Sequence, residues 1–269
     1  MRNAIITLLL FLSMDKLCAQ NSPILEWARA MGGVEEDAGT AMAVDPAGNV
    51  YTTGYFHGIS DFDPGAGVFN LTSTGWSDIF ICKLDANGNF VWAKSIGNFQ
   101  FDKGLGISTD AAGNVYVTGH FRGTVDFDPG PGIMDLTATG FGDDFFILKL
   151  DTGGNLAWAR NMGTVSDEYS YTINVDANGN VYTSGHFKGT VDFDPGGGVT
   201  NLTSVGVGVL YDIFVSKLDA GGNFGWVRQL GSANPFYGFF YNQCSIAFDV
   251  SGNVFIAGVF LGTGDFNPG

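Results

Sequence analysis

The chain has 269 residues, and its 12 Lys and Arg against 27 Asp and Glu give a formal net charge of −15. This acidic balance argues against nucleic acids and anionic membranes as partners, because both need clustered Lys and Arg. Hydrophobic residues at 45% and aromatic residues at 14% exclude an intrinsically disordered chain and supply material for a buried core.

The N-terminal residues have the pattern of a secretory signal peptide. Arg2 gives a basic start, residues 4–12 form an apolar run too short to cross a bilayer, and Ala19 is a suitable residue before cleavage. We therefore predict a signal peptide at 1–19 and a secreted or cell-surface location. Lipid attachment at Cys18 is the alternative, which the large residue before it disfavours. No later segment approaches 18 uninterrupted apolar residues, so no membrane insertion is expected after signal removal.

Residues 20–269 form a repeat array with a unit of about 66 residues. A tryptophan marks the beginning of each repeat: Trp27, Trp92, Trp158 and Trp226. Residues 25–31 are predicted to form a fourth strand with no preceding three, and the last copy is truncated. We therefore expect a fragment with three complete units plus part of a fourth.

Each unit contains four short segments with the composition of β-strands. In the second unit they are 104–110, 114–121, 144–151 and 155–163, rich in Val, Ile, Phe, Tyr and Thr. The third segment is apolar on both alternating faces, which indicates a strand in a sheet stacked between two others. Stacked four-stranded antiparallel sheets repeated along a chain predict an all-β fold, the β-propeller.

A tight-turn motif, D-x-x-G-N, recurs between strands one and two and between strands three and four. Its first residues are Asp45, Asp85, Asp110, Asp151, Asp176, Asp219 and Asp249. The Asp can accept hydrogen bonds from the turn backbone, and the Gly can adopt a positive φ. In an antiparallel meander these turns all lie at one end of the sheets, the turn end. The longer and more variable connections then lie at the opposite end, the long-loop end.

The segment 44–54 (VDPAGNVYTTG) and its three copies resemble the seven-bladed β-propeller (SBBP-type) repeats of exported bacterial proteins, and are also similar to NHL repeats. The resemblance covers about residues 25–269. It implies a propeller and a surface or secreted location, and no agreed chemistry. The chain departs from the family in its long insert after strand two.

That insert carries the motif DFDPG, whose oxygen-bearing residues are candidate calcium ligands. They are Asp61, Asp63, Asp126, Asp128, Asp192, Asp194, Asp265 and Asn267. Two such residues two positions apart and followed by Gly are typical of the beginning of a Ca²⁺ loop, but the third position and distal Glu of an EF-hand are absent. The alternative is a Pro-Gly turn whose backbone is held by Asp.

Other candidate residues are better explained by packing. His120 and His186 occupy a repeat position that also accepts Tyr and Val. Cys82 and Cys244 lie in different repeats, which favours buried thiols over a disulfide. The aromatic residues of 236–241 are open to either ligand stacking or burial.

The sequence contains none of the motifs G-x-S-x-G, H-E-x-x-H, C-x-x-C or the P-loop. We therefore expect a non-catalytic binding, adhesion or scaffold module that contacts a protein or carbohydrate at the cell surface through the long-loop end. The alternative is a carbohydrate-active enzyme of glycosidase or lyase type, with catalytic residues in irregular loops or outside this chain. A structural spacer is a third hypothesis.

Overall fold

The computed structural model describes residues 25–205, 211–231, 244–248 and 253–258. The regular elements of this part of the chain are all β-strands. In chain order they are β1 (Gly32–Gly33), β2 (Asp37–Val44), β3 (Val50–Phe56), β4 (Ile59–Asp61), β5 (Asn70–Thr72), β6 (Asp78–Leu84), β7 (Phe90–Ile96), β8 (Lys103–Thr109), β9 (Val115–Phe121), β10 (Thr124–Asp126), β11 (Asp135–Thr137), β12 (Asp144–Leu150), β13 (Leu156–Met162), β14 (Tyr169–Val175), β15 (Val181–Phe187), β16 (Thr190–Asp192), β17 (Asn201–Thr203), β18 (Asp212–Leu218), β19 (Phe224–Leu230), β20 (Cys244–Phe248) and β21 (Val254–Gly258). Over the same residues, no helix has the length and apolarity needed to cross a membrane.

Three antiparallel four-stranded sheets follow one another along the chain. Their strand orders are β2-β3-β6-β7, β8-β9-β12-β13 and β14-β15-β18-β19, and β20 pairs with β21 in the fourth unit. The strands predicted for the second unit agree with the observed ones to within one residue at each end. The predicted antiparallel meander is therefore confirmed for the three complete units. The signal peptide at 1–19 lies outside the described residues and stays a prediction.

The middle strands of each sheet are covered on both faces. All seven residues of β6 are buried, which confirms the burial expected from its two apolar faces. Strands β9 and β15 are likewise buried along their whole length. This burial arises because the sheets stack on one another. The first strands β2, β8, β14 and β20 contact each other in succession. The result is a β-propeller-like array, in which ring closure stays a prediction.

The insert after strand two is a small hairpin in each complete unit: β4-β5, β10-β11 and β16-β17. The phenylalanine of DFDPG anchors it. Phe127 is fully buried, with its ring centroid 5.1 Å from that of Phe121 and 5.0 Å from that of Phe146. In the third unit, Phe193 also contacts Phe145 of the preceding sheet, at 6.1 Å between centroids. The hairpin thus helps to fill the space between sheets.

The fourth-strand tryptophans join each sheet to the next. The Nε1 of Trp158 donates to the carbonyl of Ala220 at 3.1 Å, and the guanidinium of Arg160 lies 5.7 Å from the Trp158 ring centroid. Trp27 makes the equivalent bond to the carbonyl of Ala86 at 3.2 Å. The fourth strand predicted at residues 25–31 is not observed, because residues 26–31 are not a strand, although Trp27 keeps its contacts.

Candidate functional site

The D-x-x-G-N turns satisfy their own polar groups. Asp110 Oδ1 accepts the backbone N–H groups of Ala112 at 3.0 Å and Asn114 at 2.9 Å. Its Oδ2 accepts the Asn114 side-chain amide at 2.8 Å and the Tyr116 hydroxyl at 3.0 Å. Burial alone would raise the pKa of Asp110, but these hydrogen bonds outweigh it and lower the pKa. Gly113 has φ of +81°, the positive value that the turn requires. The turn end is therefore structural.

The DFDPG carboxylates also bind backbone donors. Asp126 Oδ1 accepts the N–H of Asp128 at 2.9 Å and of Met134 at 2.8 Å, while Asp128 Oδ1 accepts the N–H of Gly130 at 2.8 Å. The equivalent residues of the other two hairpins make the same bonds: Asp61, Asp63, Asp192 and Asp194. The Asp128 carboxylate also lies so close to Gly132 that a Cβ there would collide with it.

This geometry agrees with the alternative to calcium binding, a Pro-Gly turn whose backbone is held by Asp. In the part of the chain that the structure describes, no three or more His, Cys, Asp or Glu side chains come together as a metal-binding group. Asp265 and Asn267 lie outside the described residues. The calcium assignment stays a prediction.

Buried carboxyl groups brace the loops at the long-loop end. Asp102 accepts the backbone N–H of Asn98 at 2.7 Å and of Arg122 at 3.1 Å. Glu168 accepts the backbone N–H of Thr164 at 2.6 Å and its hydroxyl at 2.9 Å. Both carboxyls are fully buried, and burial raises the pKa of each to about 7 despite these bonds. Burial likewise raises the pKa of Asp144 to about 6, at the beginning of strand three.

A cluster around Asp143 breaks the repeat at the junction of the second and third sheets. Asp143 occupies the position of Ser77 in the first unit, since each directly precedes strand three and accepts the equivalent backbone N–H from the next junction. Its Oδ1 accepts from Arg122 Nε at 2.7 Å, and its Oδ2 accepts from the Tyr169 hydroxyl at 3.2 Å. His120 Nδ1 lies 3.1 Å from the same Oδ2. Arg122 also reaches Asp167 Oδ1 at 3.4 Å.

The electrostatics of this cluster favour a charged Asp143. Burial would raise its pKa, but His120 and Arg122 outweigh burial and lower it. The neighbouring His186 is different, because burial lowers its pKa to about 3 and keeps the ring neutral. Tyr171 Oη lies 3.1 Å from His186 Nδ1. The cluster therefore joins the second and third sheets through polar contacts.

A set of exposed bulky side chains lies on the loops beside these carboxyls, and we call it the long-loop apolar surface. Its members are Val34, Trp76, Phe99, Phe101, Phe141 and Val165. Val34, Phe99 and Val165 each lie two residues after a glycine at one repeat position. Trp76 and Phe141 each directly follow a glycine at another repeat position. Phe141 is 95% and Trp76 is 64% exposed. Sequence reasoning missed this surface, although the repetition of bulky residues at equivalent loop positions was a usable signal. The aromatic residues of 236–241 lie outside the described residues.

No protein-family model matches the chain. The chain is 26% identical over 234 residues to an uncharacterized WD repeat-containing protein of Acanthamoeba polyphaga mimivirus, covering 77% of this chain and 16% of that protein. It is 27% identical over 128 residues to the regulatory protein FlaEY of Caulobacter vibrioides, covering 46% of this chain and 13% of that protein. The chain thus spans less than a fifth of these relatives.

Among solved structures, a protein of unknown function from Bacteroides caccae covers 79% of this chain and 87% of its own, at 11% identity. The TM-score between the two structures is 0.28. WD repeats are propeller blades of four strands, which agrees with the four-stranded sheets observed here. The sheets and the WD-repeat relative together support a β-propeller-like repeat fold, whereas membership of the SBBP-type family stays a prediction.

Proposed function

We propose that the chain is part of an exported, non-catalytic β-propeller that binds a partner through its long-loop end. The observation that carries this proposal is the difference between the two ends of the sheets. At the turn end, the same turn recurs, and its Asp accepts hydrogen bonds from the backbone of the turn. The long-loop end carries the departures from the repeat and exposed aromatic side chains. Variable loops on a repeated scaffold are the usual location of binding specificity. The WD-repeat relative is consistent with a scaffold role.

Site-specific photo-crosslinking tests this proposal. A photoreactive amino acid replaces Phe141 at the long-loop end or Asn178 at the turn end, both of which are exposed. The two proteins are irradiated on the cells that normally produce them. We expect macromolecular adducts from position 141 and none from position 178. Equal adducts from both positions, or adducts from position 178 alone, would contradict the proposal.

Export is a separate part of the proposal. Fusion of residues 1–25 to a reporter that is active only outside the cytoplasm tests it. The fusion is expected to be active, and replacement of Leu9 by Arg in the apolar run should abolish that activity. A cytoplasmic fusion protein would contradict export while leaving the binding function open.

The Asp143 cluster favours a second candidate function, a carbohydrate-active enzyme, because a unique carboxylate beside His and Arg breaks the repeat. Incubation with neutral and anionic polysaccharides, followed by assay of new reducing ends or unsaturated products, tests it. The binding proposal predicts no turnover. Turnover that disappears in Asp143→Asn while the melting temperature is retained would establish the enzyme instead.

A further inference from the structure

The long-loop apolar surface is formed by loops that are firmly held. Ser77 and Phe101 form a bridge between the loop before strand three and the loop between sheets. Ser77 donates its backbone N–H to the carbonyl of Gln100 at 3.2 Å, and Asp102 donates to the carbonyl of Ser77 at 2.9 Å. Gly75 lies against the backbone of Phe99 so closely that a Cβ would collide. The apolar side chains are therefore presented on an ordered backbone.

The same bracing recurs in the next unit. Glu168 donates its backbone N–H to the carbonyl of Asp143 at 2.7 Å, which joins the two equivalent loops there. Asn98 links the neighbouring junctions, since its side-chain amide donates to the carbonyl of Arg122 at 2.6 Å. The exposed residues thus lie on consecutive, connected junctions. A surface held in place before binding loses little entropy when a partner arrives.

Four aromatic side chains of these loops are exposed: Trp76, Phe99, Phe101 and Phe141. Trp76 and Phe101 stack on one another, with centroids 5.4 Å apart and planes at 23°, and the indole remains mostly exposed. With Phe99 and Phe141, the exposed aromatic area is on the order of 500 Å², because each ring residue presents up to about 150–250 Å². These rings lie on loops at one end of the sheets, and exposed aromatic side chains are enriched at interaction sites.

The charge of the chain indicates what kind of partner fits. Among the residues that the structure describes, seven Lys or Arg side chains lie over aromatic rings: Arg29, Lys83, Lys103, Lys149, Arg160, Lys217 and Arg228. Arg122 is paired with two carboxylates. The hairpin segments 59–72, 124–137 and 190–203 carry seven Asp and no Lys or Arg. The field around these hairpins is therefore negative, in agreement with the net charge of −15 of the chain.

This charge argues against three occupants. A second copy of the chain, a nucleic acid and an anionic lipid surface would each be repelled. A protein partner that presents basic residues among aliphatic ones is attracted by the field and can cover the aromatic rings, with its cations over the ring faces.

We propose that the long-loop apolar surface docks a basic, aliphatic-rich protein segment. This inference rests on the proposed binding function and adds the residues and the chemistry of the partner. Trp76 and Phe141 are its anchors, because large, well-exposed aromatic side chains dominate the energy of protein interfaces.

The test measures binding of short synthetic peptides by fluorescence anisotropy at physiological salt. One peptide combines Lys with Leu, a second Glu with Leu, and a third Lys with Ser. The Lys–Leu peptide is expected to bind tightest. The double variant Trp76→Ser/Phe141→Ser should weaken it by about tenfold or more. The matched control Ile133→Ser/Val199→Ser removes two exposed aliphatic side chains from hairpin tips, and should leave the affinity within about twofold.

Several results would overturn the inference. Equal binding of the Lys–Ser peptide would show attraction by charge alone, and an undiminished affinity of Trp76→Ser/Phe141→Ser would place the contact elsewhere. Dimers in sedimentation experiments that the double variant abolishes would assign the surface to a second copy. Binding of neutral oligosaccharides that the double variant abolishes would assign it to a carbohydrate. In the last case, adducts from position 141 would still support the proposed binding function.

Discussion

At the scale of single residues, carboxylates organise both ends of the sheets in two different ways. In the D-x-x-G-N turns, a partly exposed Asp is stabilised in its charged form by hydrogen bonds from its own turn. At the long-loop end, a fully buried carboxyl holds two loops together and has a raised pKa. These two groups therefore respond to substitution and to pH in different ways.

Replacement of Asp110 by Ala should destabilise the protein by about 2 kcal/mol, because four hydrogen bonds to one carboxylate are lost and partly replaced by water. The midpoint of urea unfolding at constant slope measures this loss. Asp135→Ala is the matched control, since Asp135 is exposed in a hairpin, and its effect should stay within about 0.5 kcal/mol. Equal losses in the two variants would contradict the assigned role of the turn.

The pH dependence of stability follows from the two directions of pKa shift. Asp102 and Glu168 have folded pKa values of about 7, above the unfolded values of about 3.9 and 4.3. The folded state then binds more protons, so their contribution is complete below about pH 4 and is lost as the pH rises through about 7. The turn carboxylates have lowered pKa values, so their contribution is complete above about pH 4 and is lost as the pH falls below that, through their folded pKa values.

The melting temperature should therefore rise as the pH is lowered from about 8 to about 5, and fall again below about 4. Glu168→Gln mimics the protonated carboxyl and should reduce the pH dependence between about 5 and 7. Thermal unfolding across this range measures both effects. A melting temperature that increases from pH 5 to 8, or an unchanged slope in Glu168→Gln, would show that the buried carboxyls do not behave as described.

At the scale of elements, the contact of each fourth-strand tryptophan with the next sheet is the repeated joint of the array. Trp158 is half-buried against Gly222 and Arg160, whereas Trp76 is an exposed loop residue. Trp158→Ser should cost about 2–4 kcal/mol through lost packing and a lost hydrogen bond. Trp76→Ser, the same substitution, should cost no more than about 1 kcal/mol, because it removes only the stacking on Phe101. Denaturant unfolding measures the free energy of unfolding of both variants. Equal losses would contradict the role of Trp158 in joining neighbouring sheets.

The DFDPG hairpins are the elements in which calcium binding remains to be tested. If the hairpin carboxylates bind Ca²⁺, the melting temperature should rise with millimolar Ca²⁺, EDTA should reverse the rise, and Asp126→Asn/Asp128→Asn should reduce it. Mg²⁺ at the same concentration is the control for ionic strength. The absence of a shift would leave these carboxylates with the role that their backbone hydrogen bonds already give them.

At the scale of the whole molecule, repetition explains why so much of the fold was predictable. The strands of the second unit follow from composition, alternation and the Asp-Gly turns, which are local properties. The burial of β6 follows from its two apolar faces. Residues 26–31 resemble a strand in composition, yet without strand partners among the described residues they do not form one.

The site was less predictable, because its residues are distant in sequence. Asp143 contacts Arg122 and Tyr169, which are 21 and 26 residues away, and only the stacking of two sheets brings them together. Trp76 and Trp92 are the same residue type, yet Trp76 is exposed on a loop and Trp92 is half-buried on a strand. This difference depends on the geometry of the loop. The sequence contains no direct signal for the Asp143 cluster, and only the repetition of bulky residues at equivalent loop positions indicates the exposed surface.

Amide hydrogen exchange, followed by mass spectrometry along the chain, tests the central claim that stacked four-stranded units form this protein. The account predicts three maxima of protection, repeating with the period of the sequence, in β3 with β6, β9 with β12, and β15 with β18, because these strands are covered on both faces. The hairpins and long loops should exchange early. Protection without this period, or greatest in the hairpins, would contradict the stacked array.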